Sequence, residues 1–142
     1  MIRVRHIGIT VTDFDRMLDF YRRFLGFSRA KIAVERGEYI DNFSGLLNVK
    51  VQTAKLSNES DEVLIELLKY HSHKSFVNRN MINECGISHF ALTVDNLDDL
   101  FLKLSNEGIE FMAEPQRPPG GKVSVTFCRD PENNLIELVE EL

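Results

Sequence analysis

Between residues 3 and 12 the chain alternates in the manner of a strand: Val4, Ile7, Ile9 and Val11 are apolar, while His6, Gly8 and Thr10 take intervening places. The period then lengthens. Phe14, Met17, Leu18, Tyr21 and Leu25 recur along one face of a predicted helix, Asp13 stands where it can cap that helix, and Gly26 suits a left-handed stop. Residues 27–35 read as a second strand, and residues 37–47 as a connection with a short helix around 39–43. Strands are predicted over 48–56 and 62–70, with Ser57-Asn58-Glu59-Ser60-Asp61 as the turn between them. From His71 to Glu84 the sequence is polar and without a period, and it reads as a linker.

The same order then returns. Residues 87–94 read as a strand, followed by a helix capped at Asn96, with Leu97, Leu100, Phe101 and Leu104 as its buried stripe and Asp98 and Asp99 at its positive end. Gly108 stops the helix, a strand is predicted near 109–112, and a Pro/Gly-rich loop runs from Glu114 to Gly121. Strands at 122–128 and 134–140 flank a turn over 130–134. The repetition reaches individual residues: His6-Ile7-Gly8-Ile9-Thr10-Val11 corresponds to His89-Phe90-Ala91-Leu92-Thr93-Val94, and Leu64-Ile65-Glu66-Leu67 to Leu135-Ile136-Glu137-Leu138. The organisation expected is therefore α+β, with one βαβββ module over 1–70, a linker over 71–85 and a second βαβββ module over 86–142, together one structural domain. Two copies of one β-rich unit imply a pseudo-twofold arrangement with equivalent residues near its axis.

Bulk properties narrow the classes. The 142 residues suit one domain or two small half-domains, and 43% hydrophobic with 27% charged residues is ordinary for a globular protein. A net charge of −5 argues against a nucleic-acid or anionic-membrane partner, and no apolar run is long enough to span a bilayer. The first residues lack a signal peptide's apolar core, and Cys85 and Cys128 form no framework and no CxxC pair. The expectation is a cytoplasmic protein with reduced thiols.

Candidate chemistry sits at the repeat. Each half carries a histidine near its start and a glutamate near its end: His6 and Glu66, then His89 and Glu137. Gly8 and Thr10 share a strand face with His6, and Ala91 and Thr93 with His89, so each histidine faces open space. Glu66 and Glu137 lie in strands apolar on both faces, where a carboxylate is costly to bury unless it is paired, protonated or bound to a cation. Taken singly, a strand histidine reads as a satisfied core or edge residue and a strand glutamate as an edge residue. Their equivalence in two repeats points instead to one divalent metal: zinc, nickel, cobalt, manganese or iron(II). Four protein donors in an octahedral shell would leave about two positions for water or substrate. His71 and His73 read as solvated loop residues. Cys85 and Cys128 read as small core or near-surface residues. Arg117 and Lys122, at the ends of the Pro/Gly loop, read equally as solvated residues or as contacts for an anionic substrate group.

The runs RHIGITV at 5–11, FYRRFLGF at 20–27, LIELLKY at 64–70, GISHFALTVDNL at 86–97 and RDPENNLIELVE at 129–140 carry a family resemblance. In their order and spacing the chain resembles the vicinal oxygen chelate superfamily of glyoxalases, bleomycin-resistance proteins and dioxygenases. The resemblance implies tandem βαβββ modules forming a curved mixed sheet around a metal-binding cleft, and commonly a homodimer, with the site inside one chain or shared by two. It implies a small-molecule substrate. The ligand pattern His6, Glu66, His89, Glu137 is similar to that of bacterial glyoxalase I and, with one exchange at Glu66, of methylmalonyl-CoA epimerase. It implies a metal-dependent lyase or isomerase in which Glu66 or Glu137 removes a proton beside a carbonyl and the metal stabilises an enediolate. The superfamily offers two alternatives, an iron(II)-dependent dioxygenase and a non-catalytic binding protein of the resistance type. At the position where glyoxalase I carries an arginine four residues after the first histidine, this chain has Thr10.

Overall fold

Strand β1 (Ile7–Thr10) begins later than its alternation, because a strand extends only as far as its partner. It runs parallel to β4 (Ile65–Tyr70), whose first residue pairs with Ile7. The computed structural model describes residues 1–59 and 62–142, so Ser60 and Asp61 of the expected turn lie outside the described residues. The chain divides into two compact units, Met1–Val77 and Asn78–Leu142, and the division falls within the polar stretch that follows β4.

In the first unit β1 leads to α1 (Phe14–Asp19), and the Asp13 side chain accepts the Arg16 N–H at 3.2 Å. The single helix expected to reach Leu25 changes character: Phe20–Phe24 form a π-helical turn, with Leu25 N–H donating to Phe20 O at 3.3 Å. The wider turn places Phe20 and Tyr21, neighbours in sequence, both in the core, their rings edge to face at 5.2 Å. Gly26, at φ 78°, takes the left-handed stop. Then come β2 (Arg29–Arg36), α2 (Glu38–Ser44) and β3 (Lys50–Ser57). The sheet order is β1-β4-β3-β2, antiparallel apart from the β1–β4 pair. Helix α1 packs on β4, and Val11, Met17, Tyr21, Ala54, Leu56, Ile65 and Leu67 are fully buried. Each large aliphatic among them contributes about 1.5–3 kcal/mol of transfer free energy. Ile40 of α2 packs with Val49 and Val51, and against Leu46, Leu68 and Tyr70.

In the second unit β5 (His89–Thr93) is followed by α3 (Leu97–Asn106), whose cap Asn96 accepts the Asp99 N–H at 3.0 Å. Strands β6 (Val123–Arg129) and β7 (Leu135–Glu141) complete a sheet of order β5-β7-β6. Again the first and last strands of the unit are parallel neighbours and the other pairing is antiparallel. The strand expected near 109–112 is not a full strand: Phe111 bridges Cys128 and Gln116 bridges Val125, each as an isolated pair. Pro115, Pro118 and Pro119 remove backbone donors just where a ladder would have to continue. The turn between β6 and β7 is held by the buried Asp130, which accepts N–H bonds from Glu132 and Asn134 at 3.0 Å each, while Asn133 takes φ 72°. Among the described residues no helix is long and apolar enough to cross a membrane.

Candidate functional site

The parallel pairing of first and last strands sets the distance between each histidine and its glutamate. In the first unit Gly8 is in register with Glu66, so His6, two residues earlier, reaches over the end of the strand to the carboxylate. His6 Nε2 lies 3.0 Å from Glu66 Oε2. In the second unit Ala91 is in register with Glu137, and His89 Nε2 lies 3.4 Å from Glu137 Oε2. The small residues at 8 and 91 leave that approach open.

Burial differs between the pairs. Glu66 is only 9% exposed, between Ile65 and Leu67, which are fully buried on the opposite face of the strand. Glu137 and His89 are half-buried. His89 is held from two more directions: its Nδ1 is 2.8 Å from Ser88 Oγ, and the Phe127 ring meets it edge to face at 5.1 Å. With Nδ1 engaged by the serine, Nε2 is the ring nitrogen that faces Glu137.

This donor set fits a divalent ion. Each pair brings an imidazole nitrogen and a carboxylate oxygen together, 3.0 Å apart in one unit and 3.4 Å in the other, close enough for one cation to take both. Neutral imidazole with carboxylate suits the borderline first-row metals. Among the described residues there is no group of three or more His, Cys, Asp or Glu side chains gathered as for a metal ion, and each pair by itself is a candidate two-donor half-site.

The other candidates have local partners. His71 Nε2 is 3.0 Å from Gln52 Oε1, and His73 Nδ1 is 2.8 Å from Ser72 Oγ. Arg117 donates to Asp98 Oδ2 at 3.0 Å, which ties the Pro/Gly loop to α3. Lys122 offers its carbonyl to the Leu142 N–H at 2.7 Å. Cys85 is exposed; Cys128 is buried, and burial first, then the charge of Asp130, pushes its thiol up to about 12.

Sequence reasoning passed over two residues that the strand register brings to the half-sites. Lys55 of β3 is directly across from Glu66, and Phe127 of β6 is directly across from Glu137. These are equivalent positions in the two units, one cationic and one aromatic. Counting the hairpin register back from Glu66 would have found Lys55; nothing in its own neighbourhood marks it. Ser88, immediately before the second histidine, has no counterpart before His6, where Arg5 stands.

A family model described as Glyoxalase/Bleomycin resistance protein/Dioxygenase superfamily matches residues 3–138. A lactoylglutathione lyase from Escherichia coli O157:H7 is 27% identical over 140 residues, covering 99% of this chain and 93% of its own. A lactoylglutathione lyase from Schizosaccharomyces pombe is 28% identical over 150 residues, and the chain, 98% covered, spans 47% of that protein's length. Among solved structures, a glyoxalase family protein from Bacillus cereus superposes with a TM-score of 0.90 at 23% identity, over 100% of this chain and 95% of that one. That likeness shows the fold.

Proposed function

The chain belongs to the Glyoxalase/Bleomycin resistance protein/Dioxygenase superfamily, and on that premise we propose that it is a divalent-metal-dependent lyase or isomerase of the glyoxalase type. The observation that carries the reading is the repeated His–Glu contact, 3.0 Å in one unit and 3.4 Å in the other, at equivalent register positions. His6, Glu66, His89 and Glu137 would together hold the ion, since either pair alone falls short of the four donors that such ions normally take. When bound, the ion supplies Lewis acidity, polarising a carbonyl oxygen and favouring the negative charge that develops as the neighbouring C–H proton leaves.

The protein's own part is the proton. A carboxylate must stand within hydrogen-bond reach of the carbon acid and hold the proton until it is returned. Glu66 and Glu137 are the two candidates, and their surroundings differ. Glu66 is buried, with His6 against one oxygen and Lys55 in register across the sheet; Glu137 is more open, beside the Phe127 edge. Ser88 keeps the His89 ring in one orientation, and Phe127 excludes water from one side of it.

The similarity to lactoylglutathione lyases supports a test with the methylglyoxal–glutathione hemithioacetal, and methylmalonyl-CoA tests the isomerase form. Protein loaded separately with nickel, zinc, cobalt, manganese and iron(II) should convert one of the two, with solvent deuterium entering the product. No turnover of either with any metal removes both reactions. The four-donor reading has its own assay: metal per chain should be one in the wild type, and His6→Ala or Glu137→Gln should each lower it towards zero. Two ions per chain in the wild type, with one retained in each variant, would mean that the pairs act separately.

A further inference from the structure

We propose that Lys55 is a specificity-determining residue that takes an anionic group of the substrate, a carboxylate or a phosphate, in a cavity adjoining the His6–Glu66 pair. The proposal rests on the reading that this face is where substrate is handled, and it adds what kind of molecule that is. One row across the first sheet reads Gly8, Glu66, Lys55 and Lys31, each in register with the next on β1, β4, β3 and β2. Residues in register project to one face, so two lysines follow the carboxylate outward along it.

Glu66 Oε2 faces His6. Among the described residues no hydrogen bond or ion pair is formed by the Lys55 ammonium, although the side chain is half-buried. An anion in reach of that ammonium would form a charge-assisted hydrogen bond with it. A cavity of about 580 Å³ stands at that spot, lined by His6 and Lys55 together with Arg3, Arg5 and Glu62. Arg3, Arg5 and Lys55 outnumber Glu62 in its lining and give it a positive potential, although the chain as a whole is at −5. The equivalent position in the second unit is Phe127, which packs on its histidine, so the charge is a property of this half alone.

The experiment uses the whole chain with metal removed by chelator, so that it is independent of turnover and of the metal site. Succinate and inorganic phosphate are titrated by NMR against wild type, Lys55→Met, Lys55→Arg and Lys31→Met, with succinamide as the uncharged control. Lys55→Met keeps the apolar stem in the strand, and a circular dichroism spectrum of each variant checks the fold. At least one anion should bind wild type saturably while succinamide does not, with shift changes at Lys55 and His6. Lys55→Met should weaken that binding at least about tenfold, Lys31→Met less, and Lys55→Arg should stay within about threefold. Raising the salt to about 0.5 M should weaken it further. The response of succinate against phosphate tells the two anion classes apart. No saturable binding by wild type, equal binding by folded Lys55→Met, or shifts centred away from this cavity would each overturn the proposal. Loss of turnover with anion binding intact would overturn the lyase reading and leave this one standing.

Discussion

Replacing Glu66 by leucine should reverse its rank against wild type depending on whether metal is present. Glu66 is 9% exposed in a strand whose other face is core, and its partner His6 keeps 33% of its side chain in solvent. Exchanging a buried, incompletely compensated charge for an apolar side chain of similar size is neutral to stabilising, by about 1–4 kcal/mol. His6 stays hydrated once the carboxylate has gone, so no stranded buried charge is created, and the low end applies, about 0–2 kcal/mol. For a chain of this size that is up to a few degrees in Tm, at about 2–4 °C per kcal/mol. With free metal at about 100 times Kd, wild type gains about 2.7 kcal/mol and the variant, lacking a donor, gains little. Urea unfolding with chelator and with metal measures both arms, and Glu66→Gln serves as a control that keeps the hydrogen-bonding shape. A Glu66→Leu protein less stable than wild type by more than about 2 kcal/mol in chelator would show that the carboxylate serves the fold. Equal stabilisation of both proteins by metal would show that it is not a donor.

Two further outcomes follow from other parts of the structure. At pH 8 a thiol reagent should modify the exposed Cys85 quickly and reach Cys128 only on unfolding, since the latter's thiol is pushed up to about 12 by burial; equal rates would refute that burial. By linkage, the stability this thiol confers is fully present below its unfolded value near 9.0 and declines as pH rises from there towards about 12, which denaturant titrations across that range would read. Asp41→Ala removes the acceptor for the Asn48 and Val49 N–H groups at 2.9 and 2.8 Å, which shape the entry to β3, and should cost about 1–3 kcal/mol in urea unfolding.

The repeat made most of the fold legible. Asp13 and Asn96 as caps, Gly26 and Gly108 as stops, and every expected strand but that near 109–112 appear close to where local pattern places them. What the pattern missed depends on partners. Arg3 and Val4 alternate like a strand but lie outside β1, whose pairing with β4 starts only at Ile7 and Ile65. The π-helical turn at Phe20–Phe24 is set by fitting two adjacent aromatic rings into one core, which a helical period cannot anticipate. Residues 109–112 have strand-like composition, yet the prolines downstream break the ladder to single bridges.

The candidate site divides along the same line. A histidine and a glutamate at equivalent points of two repeats can be read from sequence because the repetition itself marks them. A substrate of the proposed kind has no such repetition. The residues that touch it therefore have no reason to match, and repeat comparison passes over them. Lys55 and Phe127 are such a mismatch: each stands in register with its unit's glutamate, one offering an ammonium and the other a ring edge. Likeness between the halves accordingly points to the donors, and difference between them points to recognition. It is in the register partners of Glu66 and Glu137, more than in the four donors, that substrate choice should be sought.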